Sequence, residues 1–212
     1  MSTSRPVWPT VHTERRRLVR DLAGLSPEQW RTPSLCPGWD VHDVVAHLVD
    51  SARSGRLAFV RDLVRAGFDF DRANELGIAR SRRPSPQETL ADLEASAGLE
   101  RTPPASPATR LVEGVVHGED IRRPLGLTGD YPAEAVTRAI DYQVRTPVSF
   151  GGGRERVAGL RLVESGTGTA WGSGDDVVAD GVDLLLAVSG RPIDADRLSG
   201  PGAPRLHGTA AA

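Results

Sequence analysis

A carboxylate and an imidazole one helical turn apart can grip a single partner, and the chain offers that spacing in Glu113-Gly114-Val115-Val116-His117-Gly118-Glu119-Asp120. Residues 113, 117 and 120 follow i, i+4, i+7 and so form one polar stripe on a predicted helix. Such a pair can bite one metal ion. A second histidine, His47 in Asp43-Val44-Val45-Ala46-His47-Leu48-Val49-Asp50, borders an apolar helical stripe and points inward if its helix packs in a bundle. With a ligand from a facing helix, that set becomes a three-ligand site with an open position, which is the catalytic rather than the structural pattern. Spacing alone more commonly describes plainer things: a satisfied surface pair for Glu113 and His117, and a hydrogen-bonded packing residue for His47. Asp120 either accepts the second ring proton of a ligand histidine or pairs with Arg123 on the helix surface.

Composition narrows the chemistry. The single cysteine, Cys36, cannot form an internal disulfide or a cysteine-only zinc site, so a metal must rely on histidine and carboxylate. All 26 basic residues are arginine and the net charge is −2, which leaves no electrostatic footprint for nucleic acid. The clusters Arg15-Arg16-Arg17 and Arg80-Ser81-Arg82-Arg83 read as solvated surface. Nothing approaches the roughly eighteen consecutive apolar residues of a membrane span, and Met1 to Pro6 lack the apolar core of a secretory signal. The expectation is a cytoplasmic protein, monomeric or homodimeric, that meets neither membrane nor nucleic acid.

The 212 residues can bury a sizeable core. Trp8, Val11, Leu18, Val19, Leu22 and Leu25 recur at helical spacing, and the run Leu25-Ser26-Pro27 ends that first helix. A Pro/Gly/Ser-rich connector, Thr32 to Trp39, leads to Asp40 and Asp43, a capping pattern that starts a second helix running to about Ala66 with Gly67 as its stop. Residues 69–83 read as irregular. Ser85-Pro86 opens a third helix, a fourth covers about Ala108 to Arg123 before Pro124, and Tyr131-Pro132 begins a fifth. Gly151-Gly152-Gly153 reads as a flexible break. Beyond it Gly159 to Val163 and Thr169 to Trp171 are short strands, and Val182 to Val188 an apolar helix. The chain is thus mainly α, with an expected boundary between 1–149, a helical bundle, and 150–212, a small α+β domain.

The wording of the motifs adds a resemblance. Ser34-Leu35-Cys36-Pro37-Gly38-Trp39-Asp40-Val41-His42-Asp43-Val44-Val45-Ala46-His47-Leu48 resembles a signature of the mycothiol-dependent maleylpyruvate isomerase family, within the DinB-like metalloenzyme superfamily. So do Val115 to Gly126 and Asp183 to Pro192, which extends the likeness over nearly the whole chain. The resemblance implies a DinB-like up-down bundle followed by a small α/β domain, and a divalent metal, commonly zinc, on His47, Glu113 and His117. It also implies mycothiol as the thiol cosubstrate of an isomerase or S-transferase acting on a small electrophile. Two imidazoles and a carboxylate leave positions for water or thiol, and a bound metal lowers the pKa of that thiol. The competing reading is a non-catalytic protein that binds or sequesters a small molecule, its metal structural or absent.

Other residues carry plainer expectations. Trp39 reads as a packing anchor, Cys36 as a small buried residue, and His12, His42 and His207 as exposed. Arg156, Arg161 and Arg191 read as surface arginines, or as groups for an acidic substrate. Gly166, Gly168, Gly172 and Gly174 read as turn glycines without a nucleotide fingerprint.

Overall fold

The computed structural model describes residues 7–208, with the side chains of 207 and 208 excepted; the reading of His207 lies outside that range. The chain forms two compact units, residues 1–131 and 132–212. This packing boundary falls before the glycine run expected to mark it.

Unit 1 contains α1 (Val7–Leu22), α2 (Pro27–Trp30), α3 (Val41–Arg53), α4 (Arg56–Arg65), α5 (Phe70–Ser81), α6 (Pro86–Ser96) and α7 (Thr109–Arg122). Four of them close a ring of neighbours: α1 packs on α6 and α7, and α3 packs on the same two, so the core lies between. Its centre is Leu18, Leu22, Trp30, Val41, Val44, Val45, Leu48, Val49, Leu90, Leu93 and Ile121. Burying each Val or Leu side chain there contributes about 1.5–3 kcal/mol.

The caps follow the sequence. Asp40 accepts from the Asp43 amide at 2.7 Å while the Asp43 carboxylate accepts from the Asp40 amide at 3.1 Å, a reciprocal box that fixes the start of α3. The single helix expected from Val41 to Ala66 is instead two. Ser54 caps α3 through its amide on Asp50, and Gly55 begins α4 in an extended conformation, because a Ser-Gly pair has little to gain from continuing a helix. The segment read as irregular holds α5, whose N-cap Asp69 accepts from the Arg72 amide at 3.0 Å. Only Gly77, Ile78 and Ser81 are buried along it, too few for a periodic signal. α1 ends at Leu22, ahead of the Leu25-Ser26-Pro27 run, and Ser26 with Pro27 instead starts the short α2 as its N-cap and first residue.

Unit 2 contains α8 (Ala133–Gln143), β1 (Leu160–Glu164), β2 (Ala170–Gly172), β3 (Asp175–Ala179), α9 (Gly181–Val188) and α10 (Ala203–Gly208). The sheet order is β2-β1-β3, with β1 antiparallel to β2 and parallel to β3. β3 and α10 were not expected. Asp175 and Asp176 open β3, so its apolar run is only Val177-Val178-Ala179, and α10 closes on β3 and α9 with Leu206 buried. The glycine run is packed rather than loose. Gly152 and Gly153 are buried, the Gly153 amide donates to Gln143 O at 3.0 Å, and the Gln143 side chain donates to Gly151 O at 2.7 Å.

Candidate metal and thiol site

α3 and α7 bring two histidines together. His47, on the flank of the buried face of α3, and His117, on α7, meet edge to face with ring centroids 4.7 Å apart. Trp39 lies against both, 5.2 Å from the His47 ring and 6.3 Å from that of His117. The connector that carries Trp39 is held in place by its polar backbone. Ser34 Oγ donates to Trp39 O at 2.8 Å, and the Leu35 amide donates to Asp120 O at 3.1 Å, which ties the connector to α7. Trp39 is therefore more than a packing anchor, since it walls one side of the imidazole pair.

Asp120 reaches the imidazole of His117. It is fully buried and accepts from His117 Nδ1 at 2.8 Å, whereas Arg123 pairs with Glu119 at 2.8 Å. With Asp120 as the acceptor, Nδ1 carries the ring proton and Nε2 keeps its lone pair, the tautomer a ligand histidine needs.

Glu113 is one turn before His117, but its carboxylate faces a different set. Ser51 Oγ and Arg110 donate to it, and Arg15 stands 3.7 Å away. Burial would raise this carboxyl. Arg110, Arg15 and His47, together with the Ser51 hydroxyl, overcome that and hold it down at about 2, so it stays ionised. Both arginines are anchored as well as buried, their side chains 5% exposed. Arg15 donates to Leu99 O at 3.0 Å; Arg110 donates to Arg101 O at 3.0 Å and Ser51 O at 2.8 Å. Among the described residues no three His, Cys, Asp or Glu side chains converge as a metal-holding set. The donor chemistry of His47, Glu113 and His117 nevertheless suits a divalent ion: two imidazoles already in contact, one with its tautomer fixed, and an ionised carboxylate on the same helix. What differs from a closed ligand set is the direction of Glu113.

Arg15, expected at the solvated surface, is buried. Its position is in register with Val11, Leu18 and Leu22, the buried face of α1, which is the signal that composition obscured. Of the second cluster, Arg80 pairs with Asp50 and Asp62, Arg82 with Asp40 and Asp43, and Arg83 with Asp92; these arginines are partly exposed staples. His42 is likewise corrected from exposed to buried. Its Nε2 lies 2.7 Å from Thr89 Oγ1, and burial pushes it down to about 4. His12 is half-buried and stacked on Trp8. Cys36 is half-buried against the core. Behind the site a second network fixes α7 to α1: Arg122 donates to Glu14 at 2.6 Å and Asp21 at 2.7 Å, and also to Tyr131 at 2.7 Å, whose hydroxyl donates to Glu119 at 2.9 Å. In unit 2, Arg161 pairs with Asp176, Arg156 donates to Gly152 O at 2.6 Å, and Arg191 donates to Ser189 O at 3.3 Å.

Fold and motifs define a four-helix bundle with a small α/β unit behind it in the chain, the architecture of the maleylpyruvate isomerase fold. The chain is similar to the crystal structure of the mycothiol-dependent maleylpyruvate isomerase, with a TM-score of 0.62 at 15% identity, covering 96% of this chain and 97% of that one. A histidine-to-alanine mutant of that isomerase matches with the same TM-score at 16% identity. Residues 11–102 match the sequence profile of the mycothiol maleylpyruvate isomerase N-terminal domain. No curated protein matches the sequence.

Proposed function

We propose that the protein is a mycothiol-dependent isomerase or S-transferase that acts on a small electrophile, with a divalent metal, best met by zinc, on His47, His117 and Glu113. The observation that carries the reading is the imidazole pair, edge to face at 4.7 Å under Trp39, with His117 oriented by Asp120, in a chain whose residues 11–102 match the mycothiol maleylpyruvate isomerase N-terminal domain. When bound, the ion would supply a lowered thiol pKa and a fixed position for the thiolate.

The residues of the chain supply the rest. Asp120 keeps the proton of His117 on Nδ1, so that Nε2 is available as a donor atom. Trp39 covers one side of the pair, and its apolar face lowers the local dielectric, which strengthens electrostatic interactions there. Glu113 contributes the negative charge that two neutral imidazoles lack. A thiolate would add to a conjugated double bond to give an enolate, in which rotation and loss of the thiolate would yield the trans isomer; in a transferase the enolate would instead take up a proton and the thioether adduct would leave. Cytoplasmic residence, where small thiols are kept reduced, accords with this chemistry.

The test is an assay with mycothiol and maleylpyruvate, alongside other small electrophiles, before and after removal of metal by chelator. Product that requires both thiol and metal, and that His47→Ala and His117→Ala each abolish, is the expected result. A protein whose melting temperature ignores chelator yet rises with a small ligand, without turnover, would overturn it in favour of a binding protein.

A further inference from the structure

Glu113 has a carboxylate that must serve one of two partners. It shares α7 with His117 and lies close enough to His47 for the two to interact electrostatically, yet its oxygens are bound by Arg110 and Ser51 with Arg15 at 3.7 Å. The arginines are the fixed side of this contact, because each is buried and anchored on backbone carbonyls, Arg15 on Leu99 and Arg110 on Arg101 and Ser51. The carboxylate is the movable side, with three rotatable side-chain bonds. Two guanidinium charges beside a prospective cation also repel it, and that repulsion is weakly screened in a buried cluster.

We infer that Arg15 and Arg110 form a latch for Glu113, so that the carboxylate docks either on the arginine pair or on a divalent cation at His47 and His117, and the latch lowers the affinity for that cation. The inference rests on the metal reading given above and assigns positioning roles to two arginines and Ser51. The latch works by competition: whatever free energy binds Glu113 to the arginines is subtracted from metal binding, and the coupling is reciprocal. It is opposite in sign to the usual outer-shell partner, whose loss weakens the metal site.

The experiment is a zinc titration of the full chain against a chromophoric chelator, repeated with cobalt for its d–d absorption, in the wild type and in Arg110→Gln, Arg15→Gln, Ser51→Ala and His47→Ala. Thermal melts first establish which variants fold. The latch predicts that each arginine variant binds zinc about tenfold or more tightly, that Ser51→Ala binds it a few-fold more tightly, and that His47→Ala loses binding. A merely structural role for the arginines cannot raise affinity. If the arginine variants do not fold, Ser51→Ala alone decides, since it removes the hydroxyl that donates to Glu113 and accepts from Arg110, and leaves both guanidinium groups anchored on carbonyl oxygens. Unchanged or weaker binding in the folded variants overturns the latch while a wild type that binds zinc through His47 keeps the metal reading. No binding by any of the chains overturns both.

Discussion

His42 and Asp120 show what a buried polar residue contributes when its partner is fixed. His42 is 3% exposed and bonded to Thr89, and burial together with the nearby Arg82 charge holds it neutral down to about 4. In the unfolded chain it takes up a proton near 6.5, so between those values the unfolded state binds more protons and stability falls as pH drops. The contribution is complete above 6.5 and is lost through the window down to 4. Urea unfolding at pH 7 and pH 4.5 should show the wild type losing about 2 kcal/mol more than His42→Asn; equal losses would remove His42 from the account. Asp120→Asn tests the other residue. With the tautomer of His117 no longer imposed, zinc affinity should fall by about 10–100-fold in a chelator competition, and an unchanged affinity would show that the ring is oriented by other contacts. His47, Glu113 and His117 stood out in the sequence because spacing and motif wording both pointed to them. Arg15 and His42 did not. Each is a polar residue on a buried helical face, and type outweighed position in reading them, although the register of Arg15 with Val11, Leu18 and Leu22 was available.

Helices with a clear apolar stripe and a cap or a bounding proline or glycine were legible as elements: α1, the start of α3, and α6 to α9 lie close to where these signals put them. The misses share a cause, which is that tertiary contact supplies what the local pattern lacks. α5 presents few buried residues and is held on α3 by Arg80 and Arg82, whose carboxylate partners are distant in sequence. β3 is ordered by its parallel register on β1, with Val177 opposite Leu162. The glycine run that reads as a flexible break is ordered because only hydrogen side chains fit. A Cβ on Gly152 would collide with the carbonyl of Thr146, and one on Gly153 with the carbonyl and side chain of Val188. At both positions a backbone carbonyl is among the obstacles, and it cannot rotate away as a side chain could. Gly152→Ala should therefore destabilise the protein by about 2 kcal/mol or more, read as a lower urea midpoint at unchanged slope, whereas Gly98→Ala, which meets nothing within 4 Å, should change it little. Similar losses at both positions would return the run to a loose linker.

Over the whole chain, the division into units 1–131 and 132–212 gives the metal reading a consequence that neither residue nor element contains. All three proposed ligands, the orienting Asp120, the covering Trp39 and the arginine latch belong to unit 1, on α1, α3, α7 and the connector before α3. A ligand that binds only the folded form stabilises what it contacts, by about 2.7 kcal/mol at a hundredfold excess over its dissociation constant. Stability is not uniform across a structure, and amide hydrogen exchange resolves it element by element. Saturating zinc should therefore slow exchange in α3 and α7, most of all around Val44 to Val49 and Val115 to Ile121. The buried amides of Leu184 to Val188 in α9, in unit 2, should exchange at their metal-free rate. Equal protection in α9 would mean that the two units open together or that the ion is held elsewhere, and no change in α3 would remove His47 from the site. Because the readout is protection along the chain rather than turnover, it separates where the ion binds from what the bound ion does.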